Sequence, residues 1–351
     1  MTSQEKGRRL LALATGLALV GVVAFGACGG DDGEGNPVDG GNTPTAATPA
    51  NGTDYSTLSG DVVVDGSSTV GPITEAIAEE FGRETKQRVR VSVGISGTGG
   101  GFEKFCEGET DINDASRPIK KDDEKEGLGC AANGIEYVEF KVAIDGLTVV
   151  VNPANDFAQC LTYAQLTMLW NEGSTVTKWS ELDASFPDDE IKLFGPGPDS
   201  GTFDYFTEEI NGKVDVSRAD YSASEDDNQL VQGVEQDENA LGYFGYAYFK
   251  GEAANLKALE INKNQNGKGT PTPADKAKGC VGPTEATIND NSYPLSRPLF
   301  IYVNKEALAK PHVRGFIEYY LTNAKQLVAD VGYVALPDAE YTKGMDTLNA
   351  N

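Results

Sequence analysis

Histidine is almost absent from this chain: His312 is the only one in 351 residues. A Ser-His-Asp relay and a multi-histidine metal site are therefore both disfavoured, and His312 itself reads as a surface or packing residue of an amphipathic helix in KPHVRGFIEYYL. Positive charge is also scarce. Against 54 Asp+Glu stand 29 Lys+Arg, a formal charge of −25. Nothing in that balance supplies the basic footprint of a nucleic-acid binder, and a surface this acidic attracts anions poorly at long range. The phosphate-loop signature GxxxxGK[ST], a strict GxGxxG after a strand and the GxSxG elbow of serine hydrolases are all missing. No repeat of short period is present, which argues against a solenoid or propeller. Composition alone points to no cofactor and no metal.

What is present begins with an address. Lys6, Arg8 and Arg9 precede the apolar run LLALATGLALVGVVAFGA, which ends in small residues and Cys28. This is the charged, apolar, small-residue order of a secretory signal, and Phe25-Gly26-Ala27-Cys28 resembles a bacterial lipobox. Residues 1–27 are expected to be removed and Cys28 to carry lipid. Residues 28–59, rich in Gly, Pro, Thr and Asp, read as a flexible tether. Cleavage takes away three bases and one acid, leaving about −27 on the mature chain. Cys106, Cys130, Cys160 and Cys280 would then lie in an oxidising setting, where two disulfides are expected. Four cysteines allow three pairings; a short loop from Cys106 to Cys130 is preferred, leaving Cys160 with Cys280.

The remaining 290 or so residues suffice for two domains. Strand-like runs (DVVVDG, RVRVSVGIS, EYVEFKVAI, LTVVVNP, EIKLFGP, PLFIYVN) alternate with helical ones, including PITEAIAEEFGRET with Ile73, Ile77 and Phe81 at spacings of four. YFGYAYF reads as a packed strand, and FIEYYLTNAKQLVADVG as a C-terminal helix. The pattern predicts a hinged α/β pair. Residues 60–145 and 298–351 form a discontinuous first lobe, and 146–297 the second, with two strands crossing between them around a cleft.

Three turns share one chemistry: GSSTVGPITEAI from Gly66, GISGTGGGFEKF from Gly94 and GPGPDSGTFDYF from Gly195. Each places Ser, Thr and Gly at the start of a predicted helix, where backbone N–H groups lack intrahelical partners and hydroxyls add uncharged donors. Any one alone is ordinary capping. Together they can surround a tetrahedral oxyanion. Arg117, in INDASRPIK, reads either as a surface ion-pair residue or as a guanidinium fork for that anion. Ser200 as a nucleophile would need a base that the sequence does not place beside it.

These turns, with INDASRPIK, AIDGLTVVVNP, SEDDNQLVQGV and NALGYFGYAYF, resemble the substrate-binding lipoprotein of the bacterial high-affinity phosphate importer over nearly all of residues 60–350. The resemblance implies a two-lobed periplasmic-binding-protein fold of type II and a monomeric receptor with no enzymatic activity. It would be held by its lipid at the outer face of the cytoplasmic membrane and hand inorganic phosphate to the permease and ATPase subunits of an ABC importer. Another tetrahedral oxyanion, such as sulfate or molybdate, is the alternative ligand, and a phosphomonoester hydrolase or an adhesin the alternative use of the fold. Carried over residue by residue, the resemblance assigns the anion to Ser68, Thr69 and the backbone of Val70. It adds Ser96 with the amide of Gly97 or Thr98, and Ser200, Gly201 and Thr202.

Two positions depart from the enterobacterial members. There an arginine stands four residues before the serine of SGT, where this chain has Pro196, and an aspartate stands where Arg117 aligns. The simplest reading is an exchange in which Arg117 supplies the cation from the first lobe. Its carboxylate counterpart is then Asp199 or Asp145. Asn228 reads as a helix cap or a ligand-loop orienter, and Arg297 as a hinge support or the partner of an acid.

Overall fold

The computed structural model describes residues 53–198, 200–263 and 279–351. The signal segment, Cys28 and Asp199 therefore lie outside the described residues. Eleven strands are described: β1 (Gly60–Gly66), β2 (Val89–Ile95), β3 (Ile112–Ala115), β4 (Tyr137–Val151), β5 (Cys160–Thr162), β6 (Lys192–Gly195), β7 (Ser222–Ala223), β8 (Ala240–Gly245), β9 (Lys257–Ala258), β10 (Glu260–Asn262) and β11 (Ser296–Asn304). The main ladder runs β2-β1-β3-β11-β4-β8-β6-β7, with β9 also on β4 and a separate pair β10-β5. Pairing is parallel for β2-β1-β3 and for β8-β6-β7; β11 runs antiparallel to both β3 and β4.

Local patterning explains the elements. In β1, Val62 and Val64 are buried while Val63 is exposed, the period-2 alternation of a strand with one packed face. Helix α1 (Gly71–Glu84) carries Pro72 in its first turn and buries Ile73, Ile77 and Phe81 on one stripe. Helices α2 (Gly97–Cys106), α3 (Gly127–Ala132), α4 (Tyr163–Trp170), α5 (Trp179–Leu182), α6 (Gly201–Asn211), α7 (Asp227–Gln236) and α8 (Tyr246–Gly251) follow.

Strand β4 holds the arrangement together. The sequence suggests two strands interrupted at Asp145-Gly146, but the chain passes straight through, and every residue from Val142 to Val151 is buried. Its first part, to Gly146, pairs with β11; Leu147–Val151 pairs with β8. Behind this passage, Ile144 exchanges both backbone hydrogen bonds with Val334, on the stretch between helices Pro311–Asp330 and Asp338–Ala350. The second of these, of 13 residues, is a helix at the chain end that the sequence reading did not include.

Three expectations need correction. YFGYAYF is half strand and half helix: β8 ends at Gly245 and α8 starts at Tyr246. Asn228 does not cap α7; Asp226 does, accepting the Asn228 backbone N–H at 3.0 Å. The expected tether ran to residue 59, yet Tyr55 is buried edge-on between Phe81 and Tyr319, so ordered packing begins before that. A polar run conceals a single aromatic anchor. Both disulfides form in the preferred pairing, Cys106–Cys130 and Cys160–Cys280. No helix among the described residues is long and apolar enough to cross a membrane.

Candidate functional site

The turn after β1 is built by Ser67. Its N–H donates to the Asp114 carbonyl at 3.0 Å, and its hydroxyl accepts from the Thr69 N–H at 3.1 Å. Gly66 makes this possible: its φ is 139°, and a Cβ there would lie 2.2 Å from the Asp114 carbonyl oxygen. Ser68 and Thr69 are left facing α6. The Ser68 hydroxyl donates to Asp204 Oδ2 at 2.6 Å, and the Thr69 hydroxyl lies 3.3 Å from the Gly201 carbonyl. Ser200 caps α6 by accepting the Thr202 N–H at 3.2 Å. Gly201 sits so close that a Cβ would come within 2.7 Å of Thr69 Cα. Two helix starts from distant parts of the sequence thus meet face to face.

Arg297 joins them. It pairs with Asp145 in the β11-β4 register, and its Nε donates to Asp145 Oδ2 at 3.2 Å. Nη1 donates to the Ser116 hydroxyl at 3.2 Å and Nη2 to the Thr69 hydroxyl at 2.8 Å, with the Gly201 carbonyl at 3.5 Å. The guanidinium lies over the Tyr205 ring, 3.9 Å from its centroid. Ser116 also accepts or donates at 3.0 Å with the Thr98 hydroxyl at the start of α2. The result is a small polar chamber with one cation, several hydroxyls and helix-start amides, the donor set of an oxyanion cradle. Burial raises the Asp145 carboxyl above its ordinary range, and Arg297 pulls in the opposite direction. Asp204 is likewise raised by burial, against the lowering effect of the Ser68 hydroxyl.

Of the expected residues, Ser68, Thr69, Ser200, Gly201 and Thr202 are brought together here, with Val70 closing the turn at the N-terminal cap of α1. Gly97 opens α2 with φ 74° and no atom within 4 Å of a Cβ position, so its backbone borders open space. Ser96 is engaged elsewhere: both its N–H and its hydroxyl donate to Asp65, whose other oxygen takes Lys104 at 2.6 Å. Burial would raise the Asp65 carboxyl, but Lys104 and Ser96 outweigh it and hold it low.

Among the described residues Arg117 hydrogen-bonds neither Arg297 nor the facing turns, and its nearest approach to them is beside Gly99 in the first turn of α2. Its fork is taken by Glu126, at 3.0 and 2.7 Å, and Glu126 also accepts the Lys120 N–H at 2.7 Å. An internal carboxylate claims the cation because both belong to one loop, pinned by the Cys106–Cys130 bridge, and a short loop closes at low entropic cost. Sequence reasoning passed over Ser116 and left Arg297 undecided. A signal existed for the first: Ser116 directly follows β3, another hydroxyl at a strand end. Asp145 is the described member of the expected carboxylate pair, and it holds Arg297.

Beneath the first turn lies a buried polar cluster. The Thr74 hydroxyl donates to Asp114 Oδ1 at 3.0 Å and meets the Tyr320 hydroxyl at 3.2 Å. Asp114 has no exposed surface, and burial pushes its carboxyl up to about 8. Among the described residues, no group of three or more His, Cys, Asp or Glu side chains is arranged to hold a metal ion.

Residues 43–324 match the PBP superfamily domain. The chain is 46% identical to protein SphX of Synechocystis over 84% of each chain. It is 43% identical to the phosphate-binding protein PstS of Staphylococcus saprophyticus, over 83% of this chain and 85% of that one. Among solved structures, a possible phosphate binding protein from Planctomyces limnophilus superposes with a TM-score of 0.76 at 50% identity, covering 84% of this chain and 99% of that one. An ABC-type phosphate transport receptor from Vibrio cholerae shares the fold, with a TM-score of 0.59 at 22% identity, covering 79% of this chain and 100% of that one. With two thirds and more of the sequence matched in this way, the chain belongs to the PBP superfamily and, within it, to the periplasmic phosphate-binding proteins.

Proposed function

We propose that this protein is an exported lipoprotein, anchored through Cys28, that binds inorganic phosphate between its two lobes and presents it to an ABC importer. The observation that carries the reading is the convergence on Arg297 of hydroxyls and helix starts from both parts of the chain. The lobes are taken as 60–145 with 298–351 and as 146–297, moving about β4 and β11 where Asp145 faces Arg297. Thr69, the Val70 amide, the start of α2 at Gly97 and Thr98, Ser116, and Ser200 to Thr202 surround the anion. Arg297 supplies the cation that Pro196 cannot, in place of Arg117. The anion displaces Arg297 from neither wall: hydroxyls that now accept from it turn their own protons to the phosphate oxygens.

Phosphate at neutral pH still carries a proton to donate, and sulfate does not. The Gly201 carbonyl, reached by Thr69 and Arg297, and the Asp204 carboxylate, reached by Ser68, are acceptors at the cradle wall to which a protonated anion can donate and which a fully ionised one meets only with repulsion, and this favours phosphate. Calorimetry with phosphate and sulfate from pH 5 to 8 tests this. Phosphate is expected to bind and sulfate to stay silent; tight sulfate binding at pH 7 with no phosphate signal would overturn the ligand. Arg297→Ala should weaken phosphate by about 2 to 4 kcal/mol, the cost of removing one partner of a buried charge-assisted contact.

A further inference from the structure

The edges and the faces of the Arg297 guanidinium are held by different things. Its edges are fixed by Asp145, Ser116 and Thr69. One face is covered by the Tyr205 ring at 3.9 Å, and that ring is itself buried at 5% exposure. Tyr205 lies one helical turn beyond Gly201 on α6, so it travels with the helix whose start forms the opposite wall of the chamber. Thr69 and Ser116 follow β1 and β3 on the other side. Apart from the long 3.5 Å contact of Nη2 with the Gly201 carbonyl, aromatic stacking is therefore what ties α6 to the hinge cation, while the shorter polar contacts tie that cation to the first wall. A buried aromatic face also replaces water beside the guanidinium without supplying an acceptor that would compete with an anion.

We infer that Tyr205 is a positioning residue for anion binding: its ring holds the Arg297 guanidinium flat and couples α6 to the hinge, so that the anion meets a fixed cation when the lobes close. The inference rests on the phosphate reading above. The ring face is what matters, and the hydroxyl is dispensable.

The test is phosphate calorimetry on the full chain with variants at both positions. Tyr205→Leu should weaken phosphate by about five- to thirty-fold, the range expected of a desolvated cation–aromatic contact. Tyr205→Phe should stay within about two-fold of wild type, because it keeps the ring face. In an Arg297→Ala background, Tyr205→Leu should cost nothing further. Fluorinated phenylalanines placed at 205 keep the ring's shape while draining its face of negative charge, and affinity should fall with each added fluorine; this series decides the matter even if Tyr205→Leu folds poorly. A flat response to fluorination, or an equal loss from Tyr205→Leu with and without Arg297, would reduce Tyr205 to packing and overturn the inference alone. If Arg297→Ala binds phosphate as well as wild type, the phosphate site is misplaced and the inference falls with it.

Discussion

A guanidinium offers five N–H donors in one plane, and the two arginines singled out in this sequence use theirs for opposite purposes. Arg117 spends its fork on buried Glu126. Arg117→Ala should therefore cost stability, about 1 to 3 kcal/mol after allowing for its partial exposure, because Glu126 is left without its cation. Phosphate affinity should not follow; urea melts and calorimetry on the same variant separate the two effects. Asp114 makes a second residue-scale prediction. Its folded-state pKa near 8 lies above the unfolded carboxyl value of about 3.9. The folded protein thus holds a proton that the unfolded chain has released. Stability from this group is complete below about pH 4 and is lost as pH rises to about 8, at a slope on the order of 1 kcal/mol per pH unit. Asp114→Asn keeps the Thr74 contact and removes the titration, so its stability relative to wild type should grow between pH 5 and 8; a parallel pair of curves would show that Asp114 is ionised in the folded state. Why Arg297 and not Arg117 occupies the chamber was not legible in the sequence. Both precede a proline, Arg117 shortly after β3 and Arg297 near the start of β11, and only the antiparallel register of β11 on β4 puts Arg297 opposite Asp145.

At the scale of elements, the two facing helix starts set how closely the chamber can shut. Gly201→Ala should hold α6 off Thr69, since its Cβ would meet backbone as well as side-chain atoms. On the proposed closing cleft, we expect phosphate to weaken by about an order of magnitude with little change in melting temperature, because a form with the lobes apart would carry no such clash. Small-angle scattering should show a smaller contraction on adding phosphate than in wild type; an undiminished contraction would mean that the helices can slide past one another. The disulfides act on single elements too. Removing Cys106–Cys130, which closes a 24-residue separation, is expected to cost about 3 kcal/mol, and removing Cys160–Cys280, across 120 residues, about 5 kcal/mol, readable as shifts in the urea midpoint. The hydroxyl turns and most strands were legible beforehand because period-2 valine patterns and Ser/Gly helix starts are local signals. The unbroken course of β4 and the switch from strand to helix inside YFGYAYF were not, since burial on both faces erases the alternation that marks a strand end.

For the molecule as a whole, the charge of −25 governs approach more than grip. Capture of phosphate should quicken as salt is added, because the acidic surface repels the incoming anion over a screening length of roughly 8 Å at physiological strength. Stopped-flow association rates that fell with salt would instead point to a basic rim within the acidic total. The sheet order carries a separate consequence. Strand β11 occupies the slot between β3 and β4, and among the strands described it is the last in the chain. Ribosomes deliver it after every strand it must separate. Until residues 296–304 arrive, β3 and β4 have no common neighbour, so the two parallel parts of the main ladder are not joined and both edges of the gap stay unpaired. A chain halted before Ser296 should lack a cooperative unfolding transition, whereas the complete chain should fold late and all at once, which leaves a nascent polypeptide threadable for as long as it is being made.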